Sequence, residues 1–189
     1  MQRHSCEERS RVYDDEETLH HCNGIALFVV LSLCLQVPVF ENYYLCLGYV
    51  SMMVFYFYFG PLSGMLVGSL GVVLYCLLIH GTRGMPGWAI GNLAIGCAVG
   101  LTCKWGLHIK NAWRRHAVFA GAIIVSTAVG ILGVKSVVEV MLYAQPMLLR
   151  ISNNIYAFVA DAAVMVLSLP ICEAIKTVMH RRFPEEIMG

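Results

Sequence analysis

Charge is scarce in this chain. Only 13% of its 189 residues are Asp, Glu, Lys or Arg, roughly half the share an average soluble domain carries, about 25%. So few charges cannot cover a core of this size with a water-facing shell. The rest of the composition agrees: 58% of residues are hydrophobic and the mean hydropathy is +0.68. Lipid is the solvent that fits. The net charge is +1, so the concentrated Lys and Arg of a phosphate-binding surface are missing as well, and no nucleic-acid partner is expected.

Catalytic signatures are equally thin. The chain has no Gly-rich loop ending in Lys-Ser/Thr, so it holds no ATPase site of its own, and neither HExxH nor GxSxG occurs. The eight cysteines (Cys6, Cys22, Cys34, Cys46, Cys76, Cys97, Cys103 and Cys172) are scattered, mostly inside apolar runs, with no CxxC pair. They read as small buried hydrophobes rather than a disulfide framework. His20, His21 and Cys22 are metal-ligand types without a second ligand pair at useful spacing, so neither a metal nor a cofactor is expected. No internal repeat of the kind found in duplicated transporters is visible.

What the chain does have is six apolar runs. Residues 1–22 form a mixed-charge stretch with Arg9, Arg11 and the acidic run Asp14, Asp15, Glu16 and Glu17. This stretch reads as a solvated cytoplasmic tail rather than a cleavable signal peptide, leaving the first span as the insertion signal. The runs follow at 24–40, closed by Pro38, then 45–59, 62–79, 88–103, 117–138 and 151–175. Gly60-Pro61 separates the second from the third, and HGTRGMPG (80–87) the third from the fourth; a basic connector, KWGLHIKNAWRRH (104–116), precedes the fifth. Several runs are shorter than the roughly 20 residues that cross a 30 Å hydrocarbon core. Two short helices joined at Gly60-Pro61 still fit 45–79 better than one crossing. The expected fold class is therefore an all-α membrane protein, a compact six-helix bundle over 23–178 with cytoplasmic tails at 1–22 and 179–189.

Orientation follows from Lys and Arg. With the N-terminus inside, ten lie on cytoplasmic segments (Arg3, Arg9, Arg11, Lys104, Lys110, Arg114, Arg115, Lys176, Arg181 and Arg182), against Arg83 and Arg150 outside. Lys135 falls near the outer end of the fifth run. The split places both termini inside.

Glycines recur at helical spacing: Gly60, Gly64, Gly68 and Gly71 in the third run, and Gly91, Gly96 and Gly100 in the fourth. Such spacing lets backbones pack closely in lipid, and specifies a compact bundle without chemistry. Polar residues within the runs say more, since each is costly in hydrocarbon unless it meets a partner or a cavity. They are Gln36, Asn92, Lys135, Glu139, Asn153, Asn154 and Asp161. Lys135 and Glu139 stand four apart, so they either pair with each other or face a ligand. Asn92 lies one turn beyond Trp88; Asn153 and Asn154 open the sixth run, where capping and helix–helix bonding compete with a binding role. Tyr43, Tyr44 and Trp88 share this depth, as an interfacial belt or as stacking surfaces. Asp161 lies deeper, as a structural partner or the floor of a site. Polar groups gathered at the outer ends of several spans favour capture of a solute from outside.

Four segments carry a resemblance: YFGPLSGMLVGSLGVVLYCLL (58–78), GMPGWAIGNLAIGCAVGL (84–101), VGILGVKSVVE (129–139) and ISNNIYAFVADAAVMVLSLPI (151–171). Together they resemble the substrate-binding S components of energy-coupling factor (ECF) vitamin transporters, over most of 24–182. The resemblance implies a membrane subunit that binds a vitamin or vitamin precursor from outside. It also implies docking on a shared module of one transmembrane scaffold subunit and two ATPases in a prokaryotic plasma membrane. The family's pocket, near the outer surface, matches Trp88, Asn92, Lys135, Glu139, Asn153 and Asn154 here. The Ala-x-x-x-Ala surface that the family often carries on its first span is absent: Ala26 is followed four later by Val30, and Gly24 by Phe28. The Lys-Glu couple with nearby amides suits a zwitterion or a polar heterocycle of pyrimidine, pyridine or pteridine type. Two other classes compete. A membrane enzyme acting on lipid or prenyl substrates predicts paired Asp or His near an interface, and only isolated ones occur. A non-catalytic assembly or channel subunit predicts polar residues along a whole helix face, where the third and fourth runs carry small ones.

Overall fold

The computed structural model describes residues 2–34, 37–40, 43–79, 85–106, 109 and 111–182. Helix α1 spans Gln2–Cys34; strands β1 (Val37–Phe40) and β2 (Tyr43–Leu45) follow. Helices α2 (Gly48–Phe59), α3 (Pro61–Ile79) and α4 (Met85–Gly106) come next. A single column then runs through α5 (Ala112–Thr127), a π-helical segment (Ala128–Lys135) and α6 (Ser136–Tyr143), and α7 (Met147–Arg182) completes the bundle. Helices dominate, as the composition implied. Four are long and apolar enough to cross a membrane, at Pro61–Ile79, Met85–Thr102, Trp113–Tyr143 and Met147–Ile175; Thr18–Cys34 and Gly48–Phe59 are shorter apolar helices.

Local chemistry sets the boundaries. Gly60 takes φ +90°, a region open to glycine. Pro61, whose missing N–H costs nothing in a first turn, begins α3 directly after it. Asn111 caps α5 by accepting from the Trp113 backbone N–H at 3.1 Å. Three expectations shift. The first apolar run does not stay helical to residue 40: α1 ends at Cys34, and Val37–Phe40 pairs antiparallel with Tyr43–Leu45. Pro38 cannot donate to a ladder, which suits a two-stranded ribbon with open edges. Backbone helix covers Gln2 to Cys34, so the polar stretch is helical and continuous with the first apolar run. Helix α7 likewise runs on to Arg182.

Packing is inside-out by the standard of a soluble protein. Leu62, Leu70, Leu74, Leu77 and Leu78 of α3 are exposed, as are Val125, Val129 and Leu167, while Ser32, Ser51, Asn92, Thr127, Glu139, Asn154, Asp161 and Ser168 are buried. Lipid-facing helices gain nothing from hiding leucine; they associate by close packing and interhelical hydrogen bonds. The expected glycine seam serves that packing: the space over Gly68 is filled by Met52, and that over Gly71 by Phe28. Phe28, Met52, Met53, Val67, Val72, Ile95, Ile131 and Met165 form the centre of the core.

Candidate functional site

The strand ribbon, the start of α2, the start of α4 and the α6–α7 turn lie at one end of the bundle, here the ribbon end. Two polar groupings stand there.

The first is built on Tyr49, one residue into α2 and fully buried. Trp88, in the first turn of α4, donates its indole N–H to the Tyr49 hydroxyl at 2.8 Å. That hydroxyl donates to Asn92 Oδ1 at 2.9 Å. The Asn92 amide N–H₂ donates to the Gly68 carbonyl of α3 at 2.9 Å, which fixes the amide's orientation and turns its oxygen to Tyr49. Asn92 is fully buried, so each of these bonds answers a desolvation cost that would otherwise stand. Tyr75 packs edge-on against Trp88 with centroids 6.0 Å apart. Over the Trp88 ring, 5.8 Å from its centroid, lies the Lys135 ammonium, a cation–π arrangement. Asp161 of α7 is buried as well.

The second grouping centres on Glu139. Its carboxylate accepts from the Asn154 amide at 3.2 Å and stands 3.6 Å from the Arg150 guanidinium. Asn154 uses its other N–H on Ser136 Oγ at 2.9 Å, and Arg150 lies over the Tyr143 ring at 5.6 Å. The Arg150 Nε–H is buried without a hydrogen-bond partner.

Gly87 and Gly91 let α4 come this close to the column. A Cβ on Gly91 would stand 2.9 Å from the Gly130 carbonyl oxygen, and one on Gly87 would stand 3.0 Å from Glu139 Cγ. Both distances are shorter than an ordinary van der Waals contact, so any side chain there would push Lys135 and Glu139 away from α4. The π-helical turns fall on this contact, in keeping with the frequent placement of such segments at functional sites.

Of the residues expected at the site, Trp88, Asn92 and Lys135 come together in the first grouping, and Glu139 and Asn154 in the second. The Lys135–Glu139 pair is not the one formed: Lys135 takes the Trp88 ring, while Glu139 is met by Arg150 and Asn154 of α7. Asn153 is exposed, since one residue along a helix turns the side chain by about 100°. Tyr43 and Tyr44 fall on β2, and their side chains lie outside the described residues. Sequence reasoning passed over Tyr49 and Arg150. Tyr49 is one of many aromatics in its run, and only its depth, level with Trp88, sets it apart. Arg150 counted as an outer basic residue, although a lone arginine flush against an apolar run signals a partner.

The family model for the S component of ECF-type riboflavin transporters matches residues 23–177. The chain belongs to this family. UPF0397 proteins from two strains of Streptococcus thermophilus are 28% identical over 81 residues, covering 43% of this chain and 44% of theirs. The match thus spans less than half the length of these curated relatives. No solved structure matches.

Proposed function

We propose that this S component captures a vitamin or vitamin precursor at the ribbon end of a six-span bundle, with that end outside and both termini in the cytoplasm. It then delivers the ligand through a module of one transmembrane scaffold subunit and two ATPase subunits in a prokaryotic plasma membrane. The observation that carries this reading is the Lys135 ammonium held over Trp88, beside the buried Tyr49–Asn92 chain. An aromatic face, a movable cation and fixed amide and hydroxyl groups at one end of an apolar bundle suit a planar, polar heterocycle. The family's description names riboflavin, a heterocycle of that kind and the first ligand to test. Glu139, Arg150 and Asn154, at the same end of the bundle, are assigned to polar substituents of the same ligand.

The test is native mass spectrometry of the chain purified in detergent, followed by titration with riboflavin. A co-purified heterocycle, lost in Asn92→Ala and in Lys135→Ala, is the expected result. Binding that survives both substitutions unchanged would remove the site assignment. A chain that carries and binds no small heterocycle would remove the functional reading itself.

A further inference from the structure

Ser136 ends the π-helical segment with two bonds of different reach. Its backbone N–H bonds the Gly133 carbonyl, three residues back. Its hydroxyl donates to the Ile131 carbonyl, five residues back, at 3.2 Å. In an ordinary α turn a serine or threonine hydroxyl reaches the carbonyl four residues back. Ser126 and Thr127, earlier on the same column, do so, bonding the Ala122 and Ile123 carbonyls at 2.6 and 2.7 Å. The longer reach of Ser136 therefore belongs to the wide π turn and not to α winding. The same hydroxyl is also held from another helix. Asn154 of α7 donates to Ser136 Oγ at 2.9 Å and to Glu139 Oε2 at 3.2 Å, with the Arg150 guanidinium 3.6 Å from that carboxylate oxygen. Because Asn154 donates to it, Ser136 turns its one hydrogen to Ile131, and the direction of both bonds is fixed. Ser136, Glu139 and Asn154 are all buried, so each bond in this chain is costly to lose.

We propose that Ser136 is a positioning residue of the candidate site, coupling the Glu139 grouping to the Trp88 grouping through the winding of the π-helical segment. This rests on the binding function proposed above and adds a residue that acts through Lys135 rather than on the ligand. Lys135 directly precedes Ser136, so a clamp on the Ser136 hydroxyl sets where the Lys135 side chain leaves the helix. Gly130 meets α4 near one end of the segment, and Ser136 meets α7 at the other. Between these two fixed points, the width of the turns decides how Lys135 is rotated about the axis. Loss of the hydroxyl frees the segment to rewind, and a shift of one residue in winding turns a side chain by about 100°. That rotation takes the ammonium off the indole. A ligand that engages Glu139, Arg150 or Asn154 pulls on the same clamp, so the two groupings answer it together.

Trp88 reports the ammonium without any ligand. With Trp105 and Trp113 replaced by phenylalanine, Trp88 is the one indole left in the chain. In that background Lys135→Met gives the fluorescence of a ring with no cation over it. Ser136→Ala should shift the Trp88 emission in the same direction, by at least about half as much. Ser126→Ala removes another buried hydroxyl, but from an ordinary α turn, and should leave the emission unchanged. Asn154→Ala should shift it as Ser136→Ala does, and the double variant no further than either alone, because both cut one chain. Asn154→Ala decides the matter by itself should Ser136→Ala fail to fold. Unchanged emission in Ser136→Ala or in Lys135→Met, an equal shift in Ser126→Ala, or additive shifts in the double variant would each overturn the assignment. In riboflavin titrations of the detergent-purified chain, Ser136→Ala should bind about 5- to 30-fold more weakly than wild type. Equal affinity would overturn its role at the site. Wild type that binds no flavin would remove the choice of ligand, while the ligand-free emission would still decide what Ser136 does.

Discussion

Tyr49 carries one hydroxyl that joins three helices: it accepts from Trp88 of α4 and donates to Asn92, itself anchored on α3. Tyr49→Phe keeps the ring in its buried slot and removes only the oxygen. The Trp88 N–H and the Asn92 carbonyl oxygen then lose their partner together. Leaving buried polar groups unpaired predicts a loss of about 1–3 kcal/mol, read as a lower melting temperature in detergent. The same substitution loosens the Trp88 ring and weakens ligand binding in the riboflavin titration. At this scale the sequence was partly legible. Trp88, Asn92, Lys135, Glu139 and Asn154 stood out because polar groups are rare and costly in apolar runs. Tyr49 did not, because an aromatic residue in such a run needs no explanation until its hydroxyl is seen to have partners. The spacing of Lys135 and Glu139 showed that they could pair, but not that α7 would bring Arg150 and Asn154 to the carboxylate first.

Among the elements, the π-helical segment between α5 and α6 is the feature that positions the site and the one least visible in sequence. Nothing in AVGILGVK marks an insertion in the hydrogen-bond ladder; hydrophobic periodicity reports apolar faces, not the winding of the backbone between them. The segment instead follows the close approach of Gly130 to Gly91. A Cβ on Gly130 would run into Ile95 Cγ1 and meet the Gly91 carbonyl oxygen at 2.8 Å, whereas one on Gly121 or Gly133 would meet nothing within 4 Å. Gly130→Ala therefore costs about 1–3 kcal/mol by overpacking, and it displaces Lys135 from Trp88, so ligand affinity falls with stability. Gly121→Ala in α5 gains roughly 0.5–1 kcal/mol from helix propensity and leaves affinity unchanged. Thermal unfolding and riboflavin titration of the two variants separate a packing contact from a general intolerance of alanine. The ribbon at 37–45 has a similar origin. Apolar composition continued through residue 40, and the helix end at Cys34 became visible only once Val37–Phe40 had a strand to pair with.

For the whole molecule, composition alone carried most of the answer: few charges, a long apolar inventory, and hence helices that expose leucine and bury serine, asparagine and acid. Chain direction across the membrane rests on a different quantity, the placement of Lys and Arg, because basic side chains are retained on the cytoplasmic side during insertion. Residues 104–116 carry four of them, and residues 80–87 only Arg83. The two connectors flank α4, so the proposed orientation puts one crossing between them. In a chain with its native cysteines replaced, a cysteine at position 83 should react in intact cells with a maleimide that cannot cross membranes. A cysteine at the exposed cap position Asn111 should react only after the membrane is opened. The reverse pattern would turn the Trp88–Lys135 grouping toward the cytoplasm, where it cannot receive a solute from outside. Labelling of both positions in intact cells would mean that α4 does not cross. Either result would remove uptake as the function of the site, however well the purified chain bound a flavin.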